Sequence, residues 1–252
     1  MEGIIVCVSS NLYQVNINGK LYNCLARGKL KKQRIVPLPG DKVEIDITDE
    51  IKKEGTLEKV LPRITQVKRP KMANLTQMVF VVSMKTPTPD LLLLDKELAY
   101  ANYLGIESII CFNKTDLEED KEKIQNAMKM YENVGYKVLA ISAKEGVNID
   151  KLKLYLSNHI TAFAGNSGVG KSTLMNSIFQ KEITREGEIS EKNKKGKNTT
   201  TGVILYPYEK EAYLADTPGF STFEITEVPS EELDHYFVEF IEYLPKCEFN
   251  RL

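Results

Sequence analysis

From Gly3 to about Gln66, apolar residues recur at every second position in short runs and no stretch keeps helical spacing, so this segment predicts strands separated by turns. Tyr13, Val15 and Ile17 alternate up to Asn18-Gly19, a dipeptide that accepts two positive φ angles, and the chain resumes at Leu21; a tight hairpin is expected there. Val43, Ile45 and Ile47 alternate with charged residues after the Pro39-Gly40-Asp41 turn and predict another half-buried strand. The expected architecture for residues 1–66 is a small all-β barrel of the oligonucleotide-binding kind.

After Pro70 the pattern changes. Continuous apolar runs, MVFVVSM, SIICFNK, KVLAISA and HITAFAG, alternate with helical stretches from Leu91 to Leu104, after Leu117, and from about Asp150 to Leu156; VILYPY and EAYLADT follow a lysine-rich polar stretch. Strands apolar at every position are covered on both faces, so residues 67–228 predict an α/β unit around a parallel sheet, with function at the strands' C-terminal ends. Within residues 229–252, Ser230 to Leu244 places Leu233, Phe237, Phe240, Ile241 and Leu244 on one helical face, with Glu231 and Glu232 in the first turn; an amphipathic C-terminal helix is expected.

A chain of 252 residues has room for one substantial core and a small satellite. No apolar run approaches the roughly 20 residues of a membrane helix, and the first residues lack a basic leader, so a cytoplasmic protein with no membrane partner is expected. Cys7, Cys24, Cys111 and Cys247 are scattered and form neither a disulfide framework nor a complete zinc site. The net charge of −1 gives the whole chain no attraction for nucleic acid. Any such attraction is local, and the clearest patch is Arg27, Lys29, Lys31, Lys32 and Arg34, five cations in eight residues with no anion. A solvated loop is the plain reading of that run; its place on a barrel favours RNA phosphates.

The chemistry-bearing segments fall at predicted strand ends. Gly165, Asn166, Ser167, Gly168, Val169, Gly170, Lys171 and Ser172 follow an apolar strand and open a helix at Thr173, the context a Walker A loop requires. Its glycines let backbone N–H groups and the helix N-terminus surround a β-phosphate, Lys171 reaches the β and γ oxygens, and the Ser172 hydroxyl takes Mg2+. Asp216, in DTPG, ends EAYLADT and is expected to hold a metal-bound water, with the Gly219 N–H approaching a γ-phosphate.

Asn113, Lys114, Thr115 and Asp116 end SIICF, and Ser142, Ala143 and Lys144 end KVLAI. Together they predict a guanine site. The Asp116 carboxylate accepts from guanine N1–H and the 2-amino group, whereas adenine offers neither and leaves the acid unpaired. Asn113 is expected on the N7 and O6 side, the Lys114 stem along the base, and the Ala143 N–H as a donor to O6. GTP and GDP are the predicted ligands. A P-loop ATPase or kinase is the competing reading, and it makes NKTD a coincidence. In the usual GTPase the Walker A loop comes first; here NKTD and SAK precede it, an order a sheet tolerates when the chain enters at another strand.

RGKLKK and PLPGDKVEI, the linker RITQVKRPKMANLTQ, then NKTDL, SAKEG, GNSGVGKSTLMN, GKNTTTG and DTPGF in that order make the chain resemble the RsgA (YjeQ, YloQ) family of circularly permuted GTPases over nearly its whole length. The resemblance implies a GTPase that assists maturation of the small ribosomal subunit and is triggered by it; a monomer is expected. It also implies a barrel touching ribosomal RNA and a zinc-binding C-terminal module. Thr200, with Thr199 second, matches the switch threonine that binds Mg2+. Asn198 stands where the family has a histidine implicated in hydrolysis, and asparagine cannot act as a base near neutral pH, though it can orient water. Phe220 follows DTPG where Ras-like enzymes carry a water-orienting glutamine. Catalytic candidates are therefore Lys171, Thr200, Asp216, Gly219 and Asn198, with slow intrinsic turnover expected. The alternative from another class is a nucleotide-switched rRNA-binding module with negligible hydrolysis, which single-turnover kinetics would separate. Zinc is expected only if a longer native chain completes the site begun at Cys247.

Overall fold

The computed structural model describes residues 1–28, 30, 35–180, 202–209, 211–216 and 228–247. Strands β1 (Glu2–Ser9), β2 (Leu12–Ile17), β3 (Lys20–Ala26), β4 (Lys42–Asp49) and β5 (Glu54–Val60) close into a barrel in the order β1-β2-β3-β5-β4. All neighbours are antiparallel except β3 and β5, which run parallel. The predicted hairpin is present. Ile17 pairs with Lys20, Asn18 and Gly19 take φ of 50° and 83°, and the Gly19 N–H donates to Asn16 Oδ1 at 2.9 Å. The alternating residues point inward as the pattern required: Ile5, Val15, Cys24, Val43 and Leu57 are fully buried in the barrel core.

An ion pair with a buried carboxylate fastens the chain that leaves the barrel. Asp41 is fully buried; its carboxylate accepts from the Leu38 N–H at 2.7 Å and from Arg63 Nε and Nη2 at 2.7 and 2.8 Å. The same guanidinium donates to the Val36 carbonyl and to Gln66 Oε1, both at 2.7 Å, so each charge is paired and its remaining groups are bonded. A small hairpin, β6 (Gln66–Lys68) with β7 (Lys71–Ala73), follows.

Six further strands follow: β8 (Gln77–Ser83), β9 (Glu107–Asn113), β10 (Lys137–Ala140), β11 (Ile160–Ala164), β12 (Ile204–Glu209) and β13 (Ala212–Asp216). The helices between them are α1 (Leu91–Tyr103), α2 (Lys121–Glu132), α3 (Ile149–Leu156) and α4 (Lys171–Phe179). Two compact units result, one built on the barrel with β11, β12 and β13, the other on β8, β9 and β10 with α1, α2 and α4. In the second unit β9 lies between β8 and β10, parallel to both. Every residue of β8 is buried, which is why its sequence shows no alternation.

In the first unit β13 runs parallel to β11 but antiparallel to β12. The sheet is therefore mixed, which corrects the expectation of a purely parallel one. Only Leu205 of β12 is fully buried, the half-exposed pattern that suits a short antiparallel hairpin strand.

The C-terminal segment departs further from expectation. Instead of one helix over Ser230–Leu244, the chain forms a 3-10 turn (Ser230–Tyr236), a single α turn, α5 (Val238–Ile241), and a second 3-10 turn (Leu244–Lys246). The break is at Phe237, whose backbone is extended with φ −91° and ψ 106°. There the Tyr236 carbonyl accepts from Asn102 Nδ2 of α1 at 2.8 Å, and the Tyr236 ring meets Tyr103 edge-on. This partner on α1 takes the place of helical continuity, and Phe240 and Ile241 stay half exposed.

No helix among the described residues is long and apolar enough to cross a membrane. Cys24 and Cys111 are buried, and burial pushes the Cys24 thiol up to about 11 and raises that of Cys111, so both stay protonated core groups.

Candidate functional site

The loops after β8, β9 and β10 and the loop entering α4 interlock within the second unit. Three glycines of the Walker A loop take left-handed φ: 128° at Gly165, 78° at Gly168 and 103° at Gly170. Two of them also lack room for a side chain. A Cβ on Gly165 would overlap the Val81 carbonyl oxygen of β8, and one on Gly170 would overlap the Asn113 amide nitrogen. Gly170 sits at the N-terminus of α4 without a side-chain cap, so no capping side chain covers the positive end of that helix. Ser167, Gly168, Ser172 and Thr173 are exposed around it, while Val169 is buried and anchors the loop. Lys171 Nζ donates to the Gly165 and Asn166 carbonyls at 2.5 and 2.9 Å, so the loop holds its own cation in place.

Asn113, at the end of β9, is 2% exposed and joins three segments. Its Nδ2 donates to the Val169 carbonyl at 2.8 Å, and its Oδ1 accepts from the Ala143 N–H at 3.0 Å. The sequence reading gave Asn113 and the Ala143 N–H to the base; in the structure the two bond to each other, and Asn113 also bonds to the Walker A loop. Lys114, with φ 62°, spans in the same way: Nζ donates to the Thr86 carbonyl at 2.5 Å and to Gly168 at 2.6 Å. Thr115 Oγ1 donates to the Ile141 carbonyl at 2.9 Å, fastening this loop to the end of β10.

Asp116 is the exposed member of the set. Its Oδ1 accepts from Ser142 Oγ at 2.5 Å, and Ser142, fully buried, accepts in turn from the Glu145 N–H at 3.2 Å. The carboxylate is thus aimed by a buried hydroxyl while its other oxygen faces outward. Lys144 is exposed and pairs with Glu145 at 3.4 Å.

Three contributions were not read from the sequence: the Thr86 and Val169 carbonyls, and Asp90. Asp90 caps α1 through the Leu93 N–H at 3.0 Å and accepts from Asn166 Nδ2 at 3.3 Å. Backbone carbonyls leave no trace in residue types, but an aspartate ahead of the apolar run LLLL was an available helix-start signal.

Asp216 ends β13 in the first unit, partly buried. Ser172 carries a hydroxyl oxygen and Asp216 a carboxylate, each a hard donor type that suits Mg2+. Gly219, Asn198, Thr199, Thr200 and Phe220 lie outside the described residues, as do Lys29, Lys31, Lys32 and Arg34 of the barrel patch. Arg27 is exposed and its guanidinium donates to Glu58, so this cation already has a surface partner. Among the described residues no cluster of His, Cys, Asp and Glu could hold a metal, and Cys247 is exposed and forms no disulfide.

Residues 2–57 match the RsgA N-terminal domain and residues 60–226 the RsgA GTPase. A small ribosomal subunit biogenesis GTPase RsgA of Ruminiclostridium cellulolyticum is 42% identical over 231 residues, 91% of this chain and 75% of that protein. The protein of the same name from Caldanaerobacter subterraneus subsp. tengcongensis is 40% identical over 250 residues, 99% of this chain and 83% of its own. Among solved structures, YjeQ from Thermotoga maritima superposes with a TM-score of 0.81 at 33% identity, covering 100% of this chain and 87% of that one. YloQ, described as a circularly permuted GTPase, gives 0.81 at 31% identity over 99% and 82%. With both the N-terminal and the GTPase family models matching and relatives at about 40% identity along nearly the whole chain, the chain belongs to one family, the RsgA GTPases.

Proposed function

We propose that this GTPase binds GTP and GDP with Mg2+, hydrolyses GTP to GDP and phosphate, and acts in the cytoplasm on the maturing small ribosomal subunit, which accelerates it. The observation that carries the nucleotide reading is the Asn113 junction, which fixes the base-reading loops to the phosphate loop. Asp116 accepts from the two donors on the guanine edge. Lys171 exchanges the Gly165 and Asn166 carbonyls for phosphate oxygens, and the N–H groups at the head of α4 donate to the same phosphates. Ser172, Thr200 and Asp216 would hold Mg2+, which supplies charge neutralisation on the phosphates. Zinc enters only if a longer native chain completes the site begun at Cys247.

Phe220 cannot orient a water, and Asn198 can do so only by hydrogen bonding, so turnover in the free protein is slow and depends on a partner that completes the catalytic arrangement. Purified small subunits are expected to raise the rate of GTP hydrolysis by at least about tenfold. Equal rates with and without them would remove the subunit from this account. The same two side chains favour the second reading, a nucleotide-switched rRNA-binding module, for which single-turnover hydrolysis would be negligible even with subunits present.

Arg27, Lys29, Lys31, Lys32 and Arg34 are assigned to rRNA phosphates on the strength of their charge density in the sequence directly after barrel strand β3. Changing Lys29, Lys31 and Lys32 together to alanine is expected to weaken sedimentation with small subunits by about tenfold or more, and to flatten its salt dependence. GDP affinity should not change. Loss of GDP affinity in this variant would show the patch serving the nucleotide instead.

A further inference from the structure

Behind the phosphate loop, the second unit buries an acid that no step above uses. Glu97 lies in the middle of α1, is 2% exposed, and its Oε1 has no hydrogen-bond partner among the described residues. A narrow cavity joins it to the nucleotide site; the lining includes Ser83, Thr88, Asp90, Glu97, Gly165 and Asn166. Gly165 and Asn166 are the residues whose carbonyls hold Lys171 Nζ. Glu97 therefore stands behind the backbone that presents the phosphate-binding cation.

Burial dominates its protonation and pushes the Glu97 carboxyl up to about 8, with Lys171 pulling it down and Asp90 pushing it up. Those two are the charges that act on it: Lys171 from the head of α4 and Asp90 from the turn before α1. On the side of β8 and the loop after it, Ser83 and Thr88 present neutral hydroxyls. An ionised carboxylate with one oxygen lacking a donor is costly in such a place, so the neutral acid prevails at neutral pH.

We infer that the phosphate site takes up nucleotide together with a proton held on the Glu97 carboxyl, the buried acid behind the backbone that holds Lys171. This rests on the reading that nucleotide phosphates occupy the Walker A loop. Phosphates placed there add negative charge on the lysine's side and occupy the attraction that Lys171 otherwise exerts on Glu97. Both changes make ionisation of Glu97 harder in the complex than in the free protein. By linkage, the protonated protein then binds nucleotide more tightly. The sign is fixed: affinity is level below the Glu97 titration and falls above it, by up to about tenfold per pH unit until the complex itself titrates.

The test is GDP affinity measured from about pH 6.5 to 9 for the native protein and for Glu97→Gln, which keeps the side chain's size and removes its titration. Guanine's own loss of its N1 proton at the alkaline end is common to both and cancels. The native protein is expected to lose about fivefold to tenfold more affinity across the range than the variant. Calorimetry near pH 8 in two buffers of different ionisation heat should show proton uptake on binding that Glu97→Gln lacks. Parallel profiles, or equal proton uptake, overturn the inference.

Asp90→Asn supplies a second arm that does not depend on how well Glu97→Gln folds, since asparagine also caps helices. It removes the negative charge next to Glu97, so the onset of the fall should move to lower pH; an unmoved onset overturns the inference. A flat pH dependence with GDP still bound sinks this proposal alone, whereas no GDP binding by the native protein at any pH sinks the nucleotide reading and this proposal with it.

Discussion

Asp116→Asn is expected to lower GDP affinity by about a hundredfold or more and to shift preference towards xanthosine diphosphate. The carboxylate is held by the buried Ser142 hydroxyl at 2.5 Å, so its outward oxygen meets a base in one orientation. Guanine presents two donors on that edge, N1–H and the exocyclic amine. Each charge-assisted hydrogen bond contributes about 1.5–3 kcal/mol, and asparagine retains one acceptor while turning an N–H group against a donor. The expected loss is therefore about 3 kcal/mol. Xanthine carries an oxygen at carbon 2, and the new amide hydrogen suits it. Competition of GDP, xanthosine diphosphate and ATP against a fluorescent guanine nucleotide measures the shift. If the variant keeps GDP affinity to within about threefold, the base is being read elsewhere.

Truncating Asn113 to alanine is expected to affect both folding and binding. Its amide fills a buried junction where the Ala143 N–H and the Val169 carbonyl have it as partner, at 3.0 and 2.8 Å. Removing it strands one buried donor and one buried acceptor, each costing about 1–3 kcal/mol, and leaves a gap facing Gly170. For a domain of this size the sum corresponds to a fall in Tm of about 5–15 °C. GDP affinity should also drop by about a hundredfold, because the loops that read base and phosphate lose their shared fastening. Asn113→Asp is the informative companion: it keeps the acceptor for Ala143 but turns a carboxylate towards the Val169 carbonyl, so it should also destabilise. A normal melting temperature for both variants would show that the junction does not hold the site together, leaving Asn113 to act on the base directly.

The two substitutions separate roles that sequence motifs merge. NKTD reads as one recognition element, yet within it Asn113 and Lys114 spend their polar groups on the protein, Thr115 fastens the loop to β10, and Asp116 alone is exposed with an oxygen to spare. The sequence could place these residues at a strand end because SIICF is apolar throughout. It could not say which of them faces outward, since that depends on Val169 and Ala143, brought close by the sheet from 56 and 30 residues away.

What the chain determines locally was legible in it. Alternation placed the barrel strands, Asn18-Gly19 set its hairpin, apolar runs marked β8, β9 and β11, and glycine spacing marked the phosphate loop, because each depends on contiguous residues and on φ angles that few residue types accept. Tertiary structure decided the rest. The stripe from Ser230 to Leu244 fits a helix, but a carbonyl partner on Asn102 and an aromatic edge on Tyr103 break it at Phe237. β12 runs against its neighbour, which its own pattern does not encode. Glu97 reads as an ordinary helix polar residue in LLLLDKELAYANY and becomes the buried acid behind Lys171 only when α1 packs over β8 and the phosphate loop. Periodicity fixes which face an element turns inward, whereas the partner waiting on that face comes from distant parts of the chain, and burial energies there outweigh local preference.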